Sequence, residues 1–148
     1  DFRKNLSKTN IIDIAKPSGL KGLKKYTTPH KKGLFTEMKL GTPAHVKAAA
    51  RYNDLLKYFG HKNVSPLHDG DKLKWVWLKD NKFGIETCAL KGDEDDPKEI
   101  LDFIEENIDY EKIFVSDLKN KLEDFYSALG WGQVPDSTFA NAAKFFDF

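Results

Sequence analysis

Apolar and polar residues alternate from Lys72 to Lys79, with Leu73, Trp75 and Trp77 set against Lys72, Lys74 and Val76. A period of two predicts a β-strand with its aromatic side chains on one face. Asp80-Asn81-Lys82-Phe83-Gly84 reads as a reversal and Ile85 to Leu90 as the return strand of a hairpin. Elsewhere the period is helical. Ala49, Tyr52, Leu56 and Phe59 form one stripe, with Thr42 as the expected N-cap, Pro43 at the first helical position and Gly60 as the stop. Lys47 and Arg51 lie four apart on another face of that helix. A second helix is predicted from Asp96 as N-cap, Pro97 and Glu99, a capping-box pattern, with Ile100, Ile104 and Ile108 on its inner side. A third begins near Asp109, carries Leu118, Leu122, Phe125 and Leu129, and ends at Gly130. The first dozen residues read as the tail of a helix whose buried side is Phe2, Leu6 and Ile11.

Between these elements the text changes character. From Pro17 to Gly33, prolines, glycines and threonines punctuate a lysine-rich stretch, which predicts an extended basic loop with little core of its own. From Ser137 to Phe148 the chain concentrates Phe139, Phe145, Phe146 and Phe148 with few apolar partners nearby. The expected fold class is therefore α+β: helices packed on a small antiparallel β-hairpin, with one domain over 1–136 and a C-terminal tail over 137–148.

Charge alters this picture most. The net charge is only +1. Residues 1–62 carry 14 Lys and Arg against 4 Asp and Glu, and residues 63–148 carry 10 against 19. A balance of +10 in one half and −9 in the other suggests a polyanionic partner for the first; a solvated basic face is the plainer alternative. At 148 residues, with 40% hydrophobic and 32% charged residues, the composition is that of an ordinary globular domain. No run approaches the ~20 apolar residues of a membrane span. The single cysteine, Cys88, cannot form an internal disulfide, which suits a reducing cytoplasm. The chain starts at Asp1 without a methionine, and reads as a fragment, a processed chain or a trimmed one.

Catalytic signatures are sparse. His30, His45, His61 and His68 lack ligand spacing, so no metal site is expected. Cys88 lies in a predicted strand and reads as a small buried residue. The acidic run Asp93 to Asp96 lacks the spacing of a calcium loop and fits a helix start. The cationic residues carry more. Lys16, Lys21, Lys24, Lys25, Lys31, Lys32 and Lys39 fall on connections able to reach phosphates without reading base edges. Tyr26 interleaves with them, and Lys47 and Arg51 add a rigid helical pair. About four to six phosphate contacts would give a salt slope of roughly −4 to −5. With Arg3 and Arg51 the only arginines, binding is expected to be largely independent of sequence.

These residues resemble a known family in their order along the chain. Ile14-Ala15-Lys16-Pro17 leads to Leu23-Lys24-Lys25-Tyr26; Lys39-Leu40-Gly41-Thr42-Pro43-Ala44-His45-Val46-Lys47 is followed by Tyr52-Asn53; then come Asp69-Gly70-Asp71-Lys72, Asn81-Lys82-Phe83-Gly84, Asp109-Tyr110 and the terminal Phe146-Asp147-Phe148. The set resembles the C-terminal thumb region of the family B replicative DNA polymerases of large tailed bacteriophages. That resemblance implies a thumb-like fold that grips primer-template duplex DNA through its backbone, with Lys25, Tyr26 and the segment from Lys39 through His45 to Lys47 at the strands. It implies that Phe145, Phe146 and Phe148 dock into a sliding clamp. Lys47 stands where the family more often has Arg, and Ala143 is smaller than the family's usual residue.

The family's Asp-Thr-Asp signature, whose carboxylates hold two Mg ions, does not occur in this chain. The resemblance thus implies an excised thumb, or the smaller product of a split polymerase gene that binds the remainder of the polymerase in the cytoplasm of an infected bacterial host. This chain alone is expected to hold no cofactor and to be inactive. The alternatives from other classes are a stand-alone nucleic-acid-binding accessory protein, an enzyme with an unfamiliar site, and an interaction domain whose basic face meets an acidic protein.

Overall fold

A computed structural model of the chain describes residues 11–28, 35–138 and 140. It divides into two compact units, residues 1–108 and residues 109–148. The fold is α+β, with a small antiparallel sheet. The described elements of the first unit are α1 (Ile11–Ile14), β1 (Lys16–Gly19), α2 (Leu23–Tyr26), β2 (Thr27–Thr28), β3 (Glu37–Met38), α3 (Ala44–Tyr58), β4 (Lys72–Trp77), β5 (Thr87–Leu90) and α4 (Lys98–Asn107). The second unit holds α5 (Tyr110–Ala128).

The alternating run forms β4 and pairs with β5, setting Trp75 opposite Ala89 and Val76 opposite Cys88. The Trp75 and Trp77 rings meet edge to face at 5.2 Å, as side chains two apart on one strand face should. Val76 and Leu78 are buried as well, so β4 is covered beyond its aromatic face. All four residues of β5 are buried. The hairpin gains a third strand that its turn-like sequence concealed: β1 pairs antiparallel with β4, giving the order β1-β4-β5. The predicted basic loop therefore has structure of its own. Leu20, just past β1, is fully buried, and its backbone exchanges hydrogen bonds with the 70–71 turn.

Helix α3 packs on β5. Val46, Ala49, Tyr52, Leu55 and Leu56 are buried along it, together with Ala48 and Ala50. Phe59 is only half-buried. The helix begins one residue later than predicted: the carbonyl of Pro43 accepts the first intrahelical bonds from Val46 and Lys47. The Thr42 hydroxyl instead donates to the carbonyl of Lys39 at 2.5 Å. At the far end Gly60 adopts φ 75°, and the His61 amide returns to the Leu56 carbonyl at 2.9 Å, the expected glycine stop.

Asp96 is likewise not the cap of its helix; Pro97 precedes α4. The Asp96 carboxylate is buried and accepts from the Tyr52 hydroxyl (3.0 Å) and the amides of Lys91 (2.8 Å) and Gly92 (2.7 Å). Burial, and then the neighbouring Asp96 carboxylate, push the Tyr52 phenol upward, so it remains a donor. Ile100, Ile104 and Ile108 are buried as predicted. At the hairpin tip Phe83 contacts Phe35, Tyr58 and Phe103 at ring separations of 5.9, 5.0 and 5.2 Å. The reversal itself is held by Asn81, whose side chain donates to the carbonyls of Lys79 and Ile85 and accepts from the Phe83 amide.

In the second unit Asp109 caps α5 by accepting from the Lys112 amide at 3.0 Å. Gly130 (φ 70°) closes it, and Trp131 folds back on Phe125 and Tyr126. No residue of α5 is buried. The predicted stripe is present in order but graded in exposure, from half-buried Leu118 and Leu122 to exposed Phe125 and Leu129.

Candidate nucleic-acid interface

The segment from Lys16 to Lys39 derives its geometry from a few anchors in otherwise polar text. Four residues cannot sustain a helix alone, and α2 is held from outside. The Asp69 carboxylate accepts from the amides of Leu23 (2.7 Å) and Lys24 (3.2 Å), acting as a cap supplied by a distant turn. Those donors, Leu23 first, hold the Asp69 carboxyl below its ordinary 3.8. Gly22 permits the entry with φ +99°, and a Cβ there would meet the Tyr26 ring at 3.0 Å. At the exit, the Thr27 hydroxyl donates to the Leu23 carbonyl at 2.5 Å.

Five cations line this stretch, and all are exposed: Lys16, Lys21, Lys24, Lys25 and Lys39. The Lys16 ammonium lies 5.9 Å from the Trp75 ring centre, and that of Lys25 lies 5.0 Å from the Tyr26 ring. Tyr26 is half-buried. Pairing of β2 with β3 brings Lys39 beside Tyr26, whose carbonyl accepts from the Lys39 amide at 2.9 Å. Thus Lys25 and Lys39, fourteen residues apart in sequence, come onto adjoining segments. Among the described residues, none of the five lysines forms an ion pair with a carboxylate. Lys31 and Lys32 lie outside the described residues, as do Phe145, Phe146 and Phe148 of the tail.

A second surface adjoins Lys39. A groove between the 35–41 segment, α3 and the 84–87 segment is lined by Lys39, Lys47 and Arg51, with Glu37 and Glu86 among its walls and the wholly exposed Leu40 at its rim. Lys47 stands 3.8 Å from Glu86. Arg51 is more deeply engaged: one guanidinium nitrogen donates to the Thr36 carbonyl and to Asp54, both at 3.0 Å, and the group lies over the Phe35 ring. Asp54 is itself buried and also accepts from the amide and hydroxyl of Thr36. Arg51 thereby fastens the 35–36 segment to α3. His45 is half-buried in the first turn of α3.

Residues that sequence reasoning passed over do the positioning. Asp69 and Asp54 are acids in lysine-rich surroundings, and only their three-dimensional partners reveal them as anchors. Asp69-Gly70-Asp71 was legible as a turn, but nothing in it announces a helix cap forty-six residues away. Lys72 and Lys74, strand positions in the acidic half, and Lys91, just past the return strand, line a separate groove beside β1.

Among the described residues no group of three or more His, Cys, Asp or Glu could hold a metal ion. His61 pairs with Glu99 at 2.9 Å, and His68 lies 3.9 Å from Asp71. Cys88 is fully buried, and burial pushes its thiol well above the ordinary range, away from a reactive thiolate. Among the described residues no helix is long and apolar enough to cross a membrane.

The chain matches no protein-family model and no curated protein.

Proposed function

We propose that this chain is the thumb portion of a DNA-directed DNA polymerase, similar to the family B enzymes of large tailed bacteriophages. It grips primer-template duplex DNA through the phosphate backbone and tethers the polymerase to a sliding clamp by its C-terminal phenylalanines. The observation that carries the reading is the set of exposed lysines, Lys16, Lys21, Lys24, Lys25 and Lys39, anchored by Asp69 and the β2–β3 ladder and, among the described residues, in no ion pair with a carboxylate. Like charges gathered this way repel one another unless a polyanion sits opposite. The ordered family resemblance selects duplex DNA as that polyanion. Lys47 contributes as a point charge rather than a bidentate fork, and Arg51 acts chiefly by holding the groove wall. The catalytic carboxylates and their two Mg ions belong to the remainder of the polymerase, which this chain binds.

The test is a titration of the 148-residue chain with a fluorescent primer-template across salt concentrations. These contacts alone should make binding weaken with a log–log slope of roughly −4 to −5. Affinity that stays constant between about 50 and 200 mM salt would overturn the phosphate grip. Co-purification with the remaining polymerase separates a thumb from a stand-alone nucleic-acid-binding accessory protein.

A further inference from the structure

We infer that the groove between β1 and β4 is a second phosphate track, in which Lys72, Lys74 and Lys91 take successive phosphates of one nucleic-acid strand. This inference rests on the proposed DNA grip and extends it into the half of the sequence that is acidic overall. The groove is lined by these three lysines together with Pro17, Ser18 and Gly19 of the edge strand and Leu73, and among the described residues no carboxylate lines it.

Three features favour a phosphodiester chain over an isolated anion. Lys72 and Lys74 are two apart on one strand face, about 6.8 Å along the strand, comparable with the step between adjacent phosphates of one strand. Lys74 is held in place, its ammonium donating to the Ile12 carbonyl at 3.0 Å, which leaves two of its three donors for a ligand. The groove also leads directly to the first cationic cluster. Lys72 pairs with Gly19 across the β1–β4 ladder, and Lys21 to Lys25 follow immediately on the turn that Asp69 caps.

Acids flank the track at both ends. Asp69 is occupied by the amides of Leu23 and Lys24, and Asp71 by the amide of His68 at 2.8 Å. At the opposite end, Asp93, Glu94 and Asp95 are exposed just beyond Lys91. In this track a nucleic-acid strand runs past Lys91, Lys74 and Lys72 and continues toward Lys21, Lys24 and Lys25.

The decisive variant is K72Q/K91Q, which leaves the Lys74 contact to α1 intact; its thermal melt should match the parent chain. Against a fluorescent duplex, its salt slope should become shallower by about 2, and its affinity at about 50 mM salt should fall on the order of a hundredfold. Conversely, D93N/E94Q/D95N should tighten binding. An unchanged slope in K72Q/K91Q, with the parent chain still binding, overturns the second track and leaves the first grip standing. A parent chain that does not bind the duplex overturns both. Loss of polyglutamate binding at unchanged duplex affinity would reassign the groove to an acidic protein segment and overturn it as a nucleic-acid site.

Discussion

Arg51 shows how a residue's type and its task separate. On a helix face four residues from Lys47 it reads as half of a phosphate clamp. In the fold its guanidinium bonds Thr36 and the buried Asp54 and covers Phe35. Removing one member of such a pair leaves a buried charge uncompensated, at a cost of about 3–5 kcal/mol for a fully buried pair and less here, because the Arg51 side chain is 19% exposed. Arg51→Gln should therefore lower thermal stability by about 2 kcal/mol while changing the DNA salt slope by less than one phosphate equivalent. A slope that falls by a full contact at unchanged stability would return Arg51 to the phosphate-binding set. Asp96 follows the same logic in the opposite sense: an acid that spells a helix cap is used to hold Tyr52 and the 91–92 turn. Both assignments depend on partners far away in sequence, which no local pattern encodes.

At the scale of elements, legibility followed the strength of local signals. The β4–β5 hairpin, α3, α4 and α5 each have a sustained period or a recognisable boundary, and each is present. β1 is not legible because Lys-Pro-Ser-Gly is turn text. It is tolerated as a strand at the sheet edge, where a proline need only place its missing N–H on the unpaired side. α2 is not legible because its cap is borrowed from Asp69. That borrowing makes the element sensitive to acid. The carboxyl is held below 3.8 in the folded chain, so its contribution is complete above the ordinary carboxylate value and disappears as pH falls through the lowered one. The Leu23 amide proton should shift with a midpoint below 3.8, and Asp69→Ala should abolish that titration and loosen α2 at neutral pH. A Leu23 amide indifferent to pH throughout the acid range would show that the cap does not hold α2.

At the scale of the whole molecule, the two halves of opposite charge do not map onto the two compact units. The acidic half supplies Asp69, which positions α2, and Lys72, Lys74 and Lys91, which line a groove beside β1. Net charge is a sum along the chain, whereas a binding surface is a selection across it. The division that the fold makes instead falls between residues 108 and 109, and the phenylalanine-rich end belongs to the second unit. Under the proposed function this separation assigns the grip to lysines of the first unit and the tether to Phe145, Phe146 and Phe148. Each phenylalanine can bury on the order of 150–250 Å² in a partner pocket, and none is needed for contact with phosphates. Deleting residues 144–148 should therefore abolish binding to the sliding clamp, measured by surface plasmon resonance on immobilised clamp, and leave duplex affinity and its salt slope unchanged. A deletion that weakens clamp and duplex binding equally would mean that the tail supports the fold rather than the tether, because an autonomous docking peptide has no route by which to alter a phosphate contact made by Lys24 or Lys25.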